Sequence, residues 1–169
     1  MISAILYTSN SGFTAEYAKM LAQATGLPCN DLSQMHSPQP QEEVIYFGWV
    51  MAGRCMGVQK AMALCNVRAV IQVGMAPGSQ AACDALREKA NIPADVKIFT
   101  LQGGFDMDRL HGPMKWIMKF KCKQIKEMLE AKSELNETQQ LTYDMATKGA
   151  SAVSMENLQP VLDWYNENK

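Results

Sequence analysis

The feature that most constrains this chain is its opening, in which the apolar run Ile2 to Tyr7 ends in a hydroxyl-rich loop, Thr8-Ser9-Asn10-Ser11-Gly12, and passes directly into helical periodicity. Ile2 to Tyr7 is apolar enough for a buried strand, and Phe13, Tyr17, Met20, Leu21 and Ala24 recur at helical spacing. Strand, tight turn and helix are contiguous. A helix that starts at Gly12 leaves its first backbone N–H groups without internal partners, and its dipole places partial positive charge there. Ser9, Ser11 and Thr14 add hydroxyl donors, while Gly12 lets the backbone approach an anion closely. The loop has no lysine and one glycine, so it is neither a nucleoside-triphosphatase loop nor a dinucleotide fingerprint. What it suits is one phosphate monoester. The plainer reading of the same residues is a turn with Ser11 as helix N-cap.

Strand and helix signals then alternate. Gly26 and Pro28 stop the first helix, and Cys29 to Leu32 predicts a short second strand. Ser33 to Glu43, with Pro38 and Pro40, reads as loop. Val44 to Gly48, Ala69 to Val73 and Val96 to Leu101 predict three further strands, rich in β-branched and aromatic residues. Val58 to Asn66 predicts a short helix, and Ser79 caps another that runs to about Ala90. Strands separated by helices imply a parallel α/β sheet covered on both faces. Residues 1–169 suffice for one domain with a sizeable core.

A net charge of −1 gives no general attraction to nucleic acid. No stretch approaches the roughly eighteen apolar residues of a membrane span, and the first residues lack the basic region and cleavage site of a secretory leader, a cytoplasmic profile. The five cysteines are widely spaced with no C-x-x-C, which suggests neither a disulfide framework nor a zinc site. Cys55 is the one thiol to watch, because its loop is placed beside the ligand developed below. The thirteen methionines are read as adaptable core filler.

The segment Ile5 to Leu21 resembles the flavodoxin signature: Ile5, Leu6, Tyr7, Ser9, Gly12, Thr14, Ala18 and Leu21 fit its pattern of an apolar pair and aromatic, then hydroxyl, small residue and threonine. The resemblance implies a three-layer fold with a five-stranded parallel sheet of order 2-1-3-4-5, and a loop, Ser9, Asn10, Ser11, Gly12, Phe13 and Thr14, that grips the phosphate of flavin mononucleotide (FMN). In such sheets ligands sit outside the carboxyl ends of the strands where strand order reverses, here between strands one and three. That geometry selects Trp49-Val50-Met51-Ala52-Gly53-Arg54 after strand three, Gly74 after strand four and Gln102-Gly103-Gly104-Phe105 after strand five. Trp49 and Phe105 are candidate stackers on the flavin ring. Gly53, Gly74, Gly103 and Gly104 bring backbone near it, and Arg54 is placed to stabilise negative charge on it.

From Arg109 to Lys126 the chain carries six cations and no acid, with an apolar stripe through Leu110, Met114, Ile117, Met118, Ile125, Met128 and Leu129 and Pro113 near the helix start. Such a helix packs on its sheet and turns its lysines to water, or it meets an acidic partner or an anionic membrane surface. With Gly103-Gly104, Trp116, Phe120 and Asp163-Trp164, this region resembles the flavodoxin-like branch that contains the quinone-linked protoporphyrinogen oxidases. That implies an oxidoreductase with a substrate cleft roofed by Arg109 to Lys126 and His111 as an acid or base. Carrier flavodoxins are strongly acidic and dock on basic partners, a pattern from which −1 departs. The sequence expectation is an FMN-binding redox protein working with a partner protein or quinone. Its rival is a flavin-free binding or sensing module on the same fold. The polar segment Lys132 to Ser154 reads either as an ordered connection or as a mobile loop, and a closing helix lies near Met155 to Tyr165.

Overall fold

In the computed structural model the opening run is strand β1 (Ile2–Thr8), with Ile2 and Ile5 facing one hydrophobic core and Ala4 and Leu6 the other. Residues 1–169 are described except His36, Pro38, His111, Gly112 and Ser133, and the side chains of Pro113, Met114, Lys121, Thr138, Leu141, Thr142 and Met145. The expectations for Pro38 and His111, and for Met114 in the apolar stripe, lie outside the described residues. The same two-sided burial holds for β3 (Gln39–Met51), where Val44 and Tyr46 face one core and Ile45 and Phe47 the other, and for β5 (Cys65–Gly74). Both faces are covered, which is why these strands read as continuous apolar runs.

With β2 (Cys29–Asp31), β4 (Arg54–Cys55) and β6 (Lys97–Gln102), these strands form a six-stranded sheet. Five run parallel in the order β2-β1-β3-β5-β6, the arrangement expected for strands one to five. The sixth, β4, is an addition to the five expected: it folds back antiparallel on the end of β3, pairing Val50 with Cys55 and Met51 with Arg54. Helices α1 (Phe13–Thr25) and α6 (Met155–Asn168) cover one face, and α2 (Val58–Leu64) and α3 (Gln80–Ala90) the other. The result is a three-layer α/β arrangement.

Local chemistry sets these boundaries. Gly26 ends α1 in the left-handed region at φ 75°, its N–H bonding the Ala22 carbonyl. Ser79 caps α3, its hydroxyl accepting from the Ala82 N–H at 3.2 Å. Two expectations fail at Ser33 to Glu43. Leu32–Gln34 is a 3₁₀ turn capped by Asp31, and Gln39 to Glu43 already belongs to β3. The pairing of β3 with β5 slips between Gln39 and Glu43, and this irregularity accommodates Pro40 within a strand. Helix α2 stops before Asn66 because Cys65 is already extended at φ −138° and begins β5.

Beyond β6 the chain builds a smaller unit. Strand β7 (Gly104–Phe105) pairs antiparallel with β8 (Ala150–Ser151), flanking α4 (Pro113–Glu130) and α5 (Glu137–Lys148). The segment left open between connection and loop is thus largely helical. Its start is a capping box: Asn136 accepts from the Gln139 N–H at 2.8 Å, and Gln139 accepts from the Asn136 N–H at 3.3 Å. Helix α4 does not lie on the main sheet. It packs on α5, burying Cys122 with Phe105 and Leu110. Helix α6 docks on the main sheet through Leu158 and Val161, and Trp164 meets the Phe99 ring edge-on at 6.1 Å.

Candidate functional site

The loop between β1 and α1 is built around its own backbone. Gly12, at φ 94°, is the N-cap of α1, in place of Ser11, and its N–H is bound by the Ser9 hydroxyl at 3.1 Å. Left-handed geometry at that position suits a residue without Cβ. Ser9 therefore shapes the turn, and the N–H groups of the first helical turn lack intrahelical partners at the positive end of the dipole. Thr14, one residue into the helix, is the one buried polar side chain among the described residues.

Asn10, Ser11, Phe13 and Thr14 line a cleft of about 550 Å³ together with Trp49, Val50, Met51, Ala52, Gly74, Gly104 and Phe105. That volume lies within the range of about 300–1,000 Å³ of small-molecule sites. Eleven of the seventeen residues selected from the sequence therefore share one cavity, at the carboxyl ends of the strands. The lining is polar at the α1 end, through Asn10, Ser11 and Thr14, and largely apolar elsewhere.

The other six take different places. Ser9 and Gly12 hold the turn. Gly53 is the tip of the β3–β4 hairpin, where Ala52 (φ 50°) and Gly53 (φ 73°) both adopt left-handed conformations that match a two-residue turn to the twist of its strands. Arg54 is exposed on β4 and does not line the cleft. Gln102 and Gly103 brace the loops beneath it: the Gly103 N–H donates to the Gly74 carbonyl at 2.7 Å, and the Gln102 amide to the Met75 carbonyl at 3.1 Å. Tyr17, buried in α1, directs its hydroxyl at the Gln102 carbonyl (2.7 Å) and that of Ala152 (3.1 Å), which fixes the helix start against the end of β6.

Two groups of residues lie at the site beyond the seventeen selected, although a roof from the segment Arg109 to Lys126 was expected. Val73, Met75, Leu110, Ile117, Met118 and Ile125 complete the cleft, and the last three lay α4 across it as a roof. The second is Arg109, which lies beside the cleft without lining it. Its guanidinium sits 4.8 Å from the centre of the Phe13 ring, pairs with Glu16 at 2.6 Å and Asp106 at 3.5 Å, and lies over Gly12. Being about half exposed, these pairs add little to stability. Their effect is to hold a cation above the start of α1. The signal was present as a run of cations without acids, but the run does not reveal which member returns to the first loop.

Cys55 differs from expectation. It is 5 % exposed and packs in the core beside Tyr46 and Val58, not in the cleft. Burial pushes its thiol up to about 12. The thiolate is the reactive form, so Cys55 is expected to resist alkylation by iodoacetamide at neutral pH in the folded protein and to react once denatured, as read by mass spectrometry. Because the thiol ionises more easily unfolded, its contribution to stability is complete below the ordinary thiol pKa of 9.0 and is lost as pH rises towards 12.

No family model and no curated protein matches the chain. The geometry on which a functional reading rests is a hydroxyl-bearing loop at a helix start, an apolar slot with aromatic walls, and Arg109, paired with Glu16 and Asp106, over Gly12.

Proposed function

We propose that this chain binds FMN at the β1–α1 loop and acts as a flavodoxin-like redox protein. The observation that carries the reading is the single cavity joining the hydroxyl loop to the glycine- and aromatic-bearing loops after β3, β5 and β6. Asn10, Ser11 and Thr14 and the N–H groups at the start of α1 would hold the phosphate, with Arg109 supplying charge. Trp49 and Phe105 would bound the ring system, and Gly74 and Gly104 would admit it close to backbone. When bound, the flavin supplies the electron or hydride transfer, and the protein supplies binding, orientation and access.

The apolar roof favours an oxidoreductase of the protoporphyrinogen-oxidase-like type over a carrier with an open ring edge. Ile117, Met118 and Ile125 exclude water from one side of the cleft, and an apolar reaction partner such as a quinone suits that surface better than a charged one. The setting we propose for this chemistry is the cytoplasm.

Titration of apo-protein into FMN and into riboflavin, followed by flavin fluorescence, tests the phosphate assignment. FMN is expected to bind far more tightly. Thr14→Ala is expected to weaken FMN about tenfold, the scale of one hydrogen bond to a charged group, while leaving riboflavin unchanged. Arg109→Ala is expected to weaken FMN similarly and to flatten the salt dependence. Equal affinity for the two flavins would refute the cradle, and no uptake of either would leave the flavin-free binding module.

A further inference from the structure

Helix α4 is apolar on two opposite sides. One side carries Met118, Cys122, Ile125 and Leu129 and faces the cleft and α5. The other exposes Trp116 (75 %) and Phe120 (63 %), with Met128 (58 %) two turns further on, and Ile117 (53 %) lies between the two sides at the cleft edge. Scattered single apolar residues on a surface need no explanation, but two aromatics within two turns, with an isoleucine at their edge, form a patch. Trp116 and Phe120 are four residues apart and so adjacent on one face. Exposed Lys115, Lys119 and Lys123 border this ridge, and the Lys119 ammonium lies 6.0 Å from the Trp116 ring centre. Acids enter only at the end of the helix, where Glu127 and Glu130 stand 3.8 Å from Lys123 and Lys126. The exposed ridge is therefore aromatic and cationic over its first two turns.

We propose that this ridge docks the protein on an anionic phospholipid surface, with Trp116 and Phe120 inserted at the headgroup level and Lys115, Lys119 and Lys123 paired with lipid phosphates. Indole and phenyl rings suit the boundary between hydrocarbon and water, and lysines flanking an amphipathic helix add attraction to anionic lipid. A second copy of the chain is a poorer occupant, because a two-fold contact through the same ridge sets lysines against lysines. Trp116, Lys119, Phe120 and Lys123 also border an open, mostly apolar groove with Met107, Ala146 and Thr147, which suits an acyl chain whose phosphate meets the lysines better than it suits an acidic protein surface. This inference stands apart from the FMN reading.

The test is co-sedimentation of the full chain with phosphatidylcholine vesicles, with and without phosphatidylglycerol. Binding is expected only to the anionic vesicles and is expected to fall with salt. Lys119→Gln with Lys123→Gln should weaken it roughly 30-fold, the scale of two lysines at an anionic surface. Trp116→Ser with Phe120→Ser should abolish sedimentation. Both double variants alter exposed side chains, so their thermal melts and FMN titrations should match wild type, which separates loss of docking from loss of fold or flavin site. Failure of the wild type to sediment with anionic vesicles would overturn the proposal. So would sedimentation unchanged in both double variants, or a wild-type dimer in solution that Trp116→Ser with Phe120→Ser disperses.

Discussion

Gly104→Val is expected to weaken FMN binding roughly 100-fold, the scale of a steric misfit costing about 2–3 kcal/mol. A Cβ at this position would lie 2.5 Å from the Ala150 carbonyl oxygen and 2.7 and 2.8 Å from two atoms of the Phe13 ring. Neither neighbour yields easily. Ala150 is fixed by the β7–β8 pairing, and Phe13 is held between Gly104 and the Arg109 guanidinium, one residue before Thr14. Relief of the clash must therefore move either the strand that carries Phe105 or the helix start that carries the cradle. Fluorescence titration reads the loss, and circular dichroism checks that the main sheet is retained. Wild-type affinity in this variant would mean that the wall formed by Phe13, Gly104 and Phe105 is not where the ring lies.

Phe47→Ala is the largest stability effect expected, a loss of about 3–5 kcal/mol and a fall in Tm on the order of 10 °C. Phe47 has no exposed surface and sits in β3 between β1 and β5, packed in the same core as Tyr17, Leu21, Leu158 and Val161. Removing the ring empties a space bounded by α1, α6 and three strands, and these elements cannot all close on it. Phe120→Ala is the matched contrast, because 63 % of that residue is exposed. Its change is expected to stay within about 0.5 kcal/mol. Chemical denaturation measures both, and a Phe47 loss no larger than the Phe120 one would contradict the placement of the core.

The parts of this fold legible in the sequence are those decided by local chemistry. The β1 run, the Gly26 stop, the Ser79 cap and the β-branched cores of the parallel strands each carry their own signal. Helix α5 carried one as well, the Asn136–Gln139 capping box, but its polar composition conceals which face packs. Strand β4 is two residues long and exists only because Ala52 and Gly53 turn the chain back on β3, so no pattern within Arg54-Cys55 announces it. The start of β3 was hidden by its prolines, since Pro40 argues for loop until the slipped pairing with β5 is seen.

The site follows the same division. Asn10 to Thr14 are adjacent in the chain and were readable as a unit, and the loops after the parallel strands follow from sheet topology. Arg109 and the α4 roof come from more than ninety residues beyond the first loop, through the β7–β8 unit that turns the chain back over the cleft. The resemblance implied a roof from Arg109 to Lys126, but no spacing in the sequence shows that Arg109 in particular returns to Phe13 and Glu16. Cys55 shows the opposite error: its position in the loop suggested the cleft, but side chains alternate along a strand, and the β4 pairing turns its thiol into the core.

The most direct test of the central claim is the visible absorption spectrum of the purified protein, recorded as isolated and again after incubation with FMN and removal of excess ligand. The account predicts retained flavin bands, shifted from those of free FMN, with quenched fluorescence and a stoichiometry of one flavin per chain. A colourless protein after incubation, or flavin that washes away with the spectrum of the free cofactor, would contradict it.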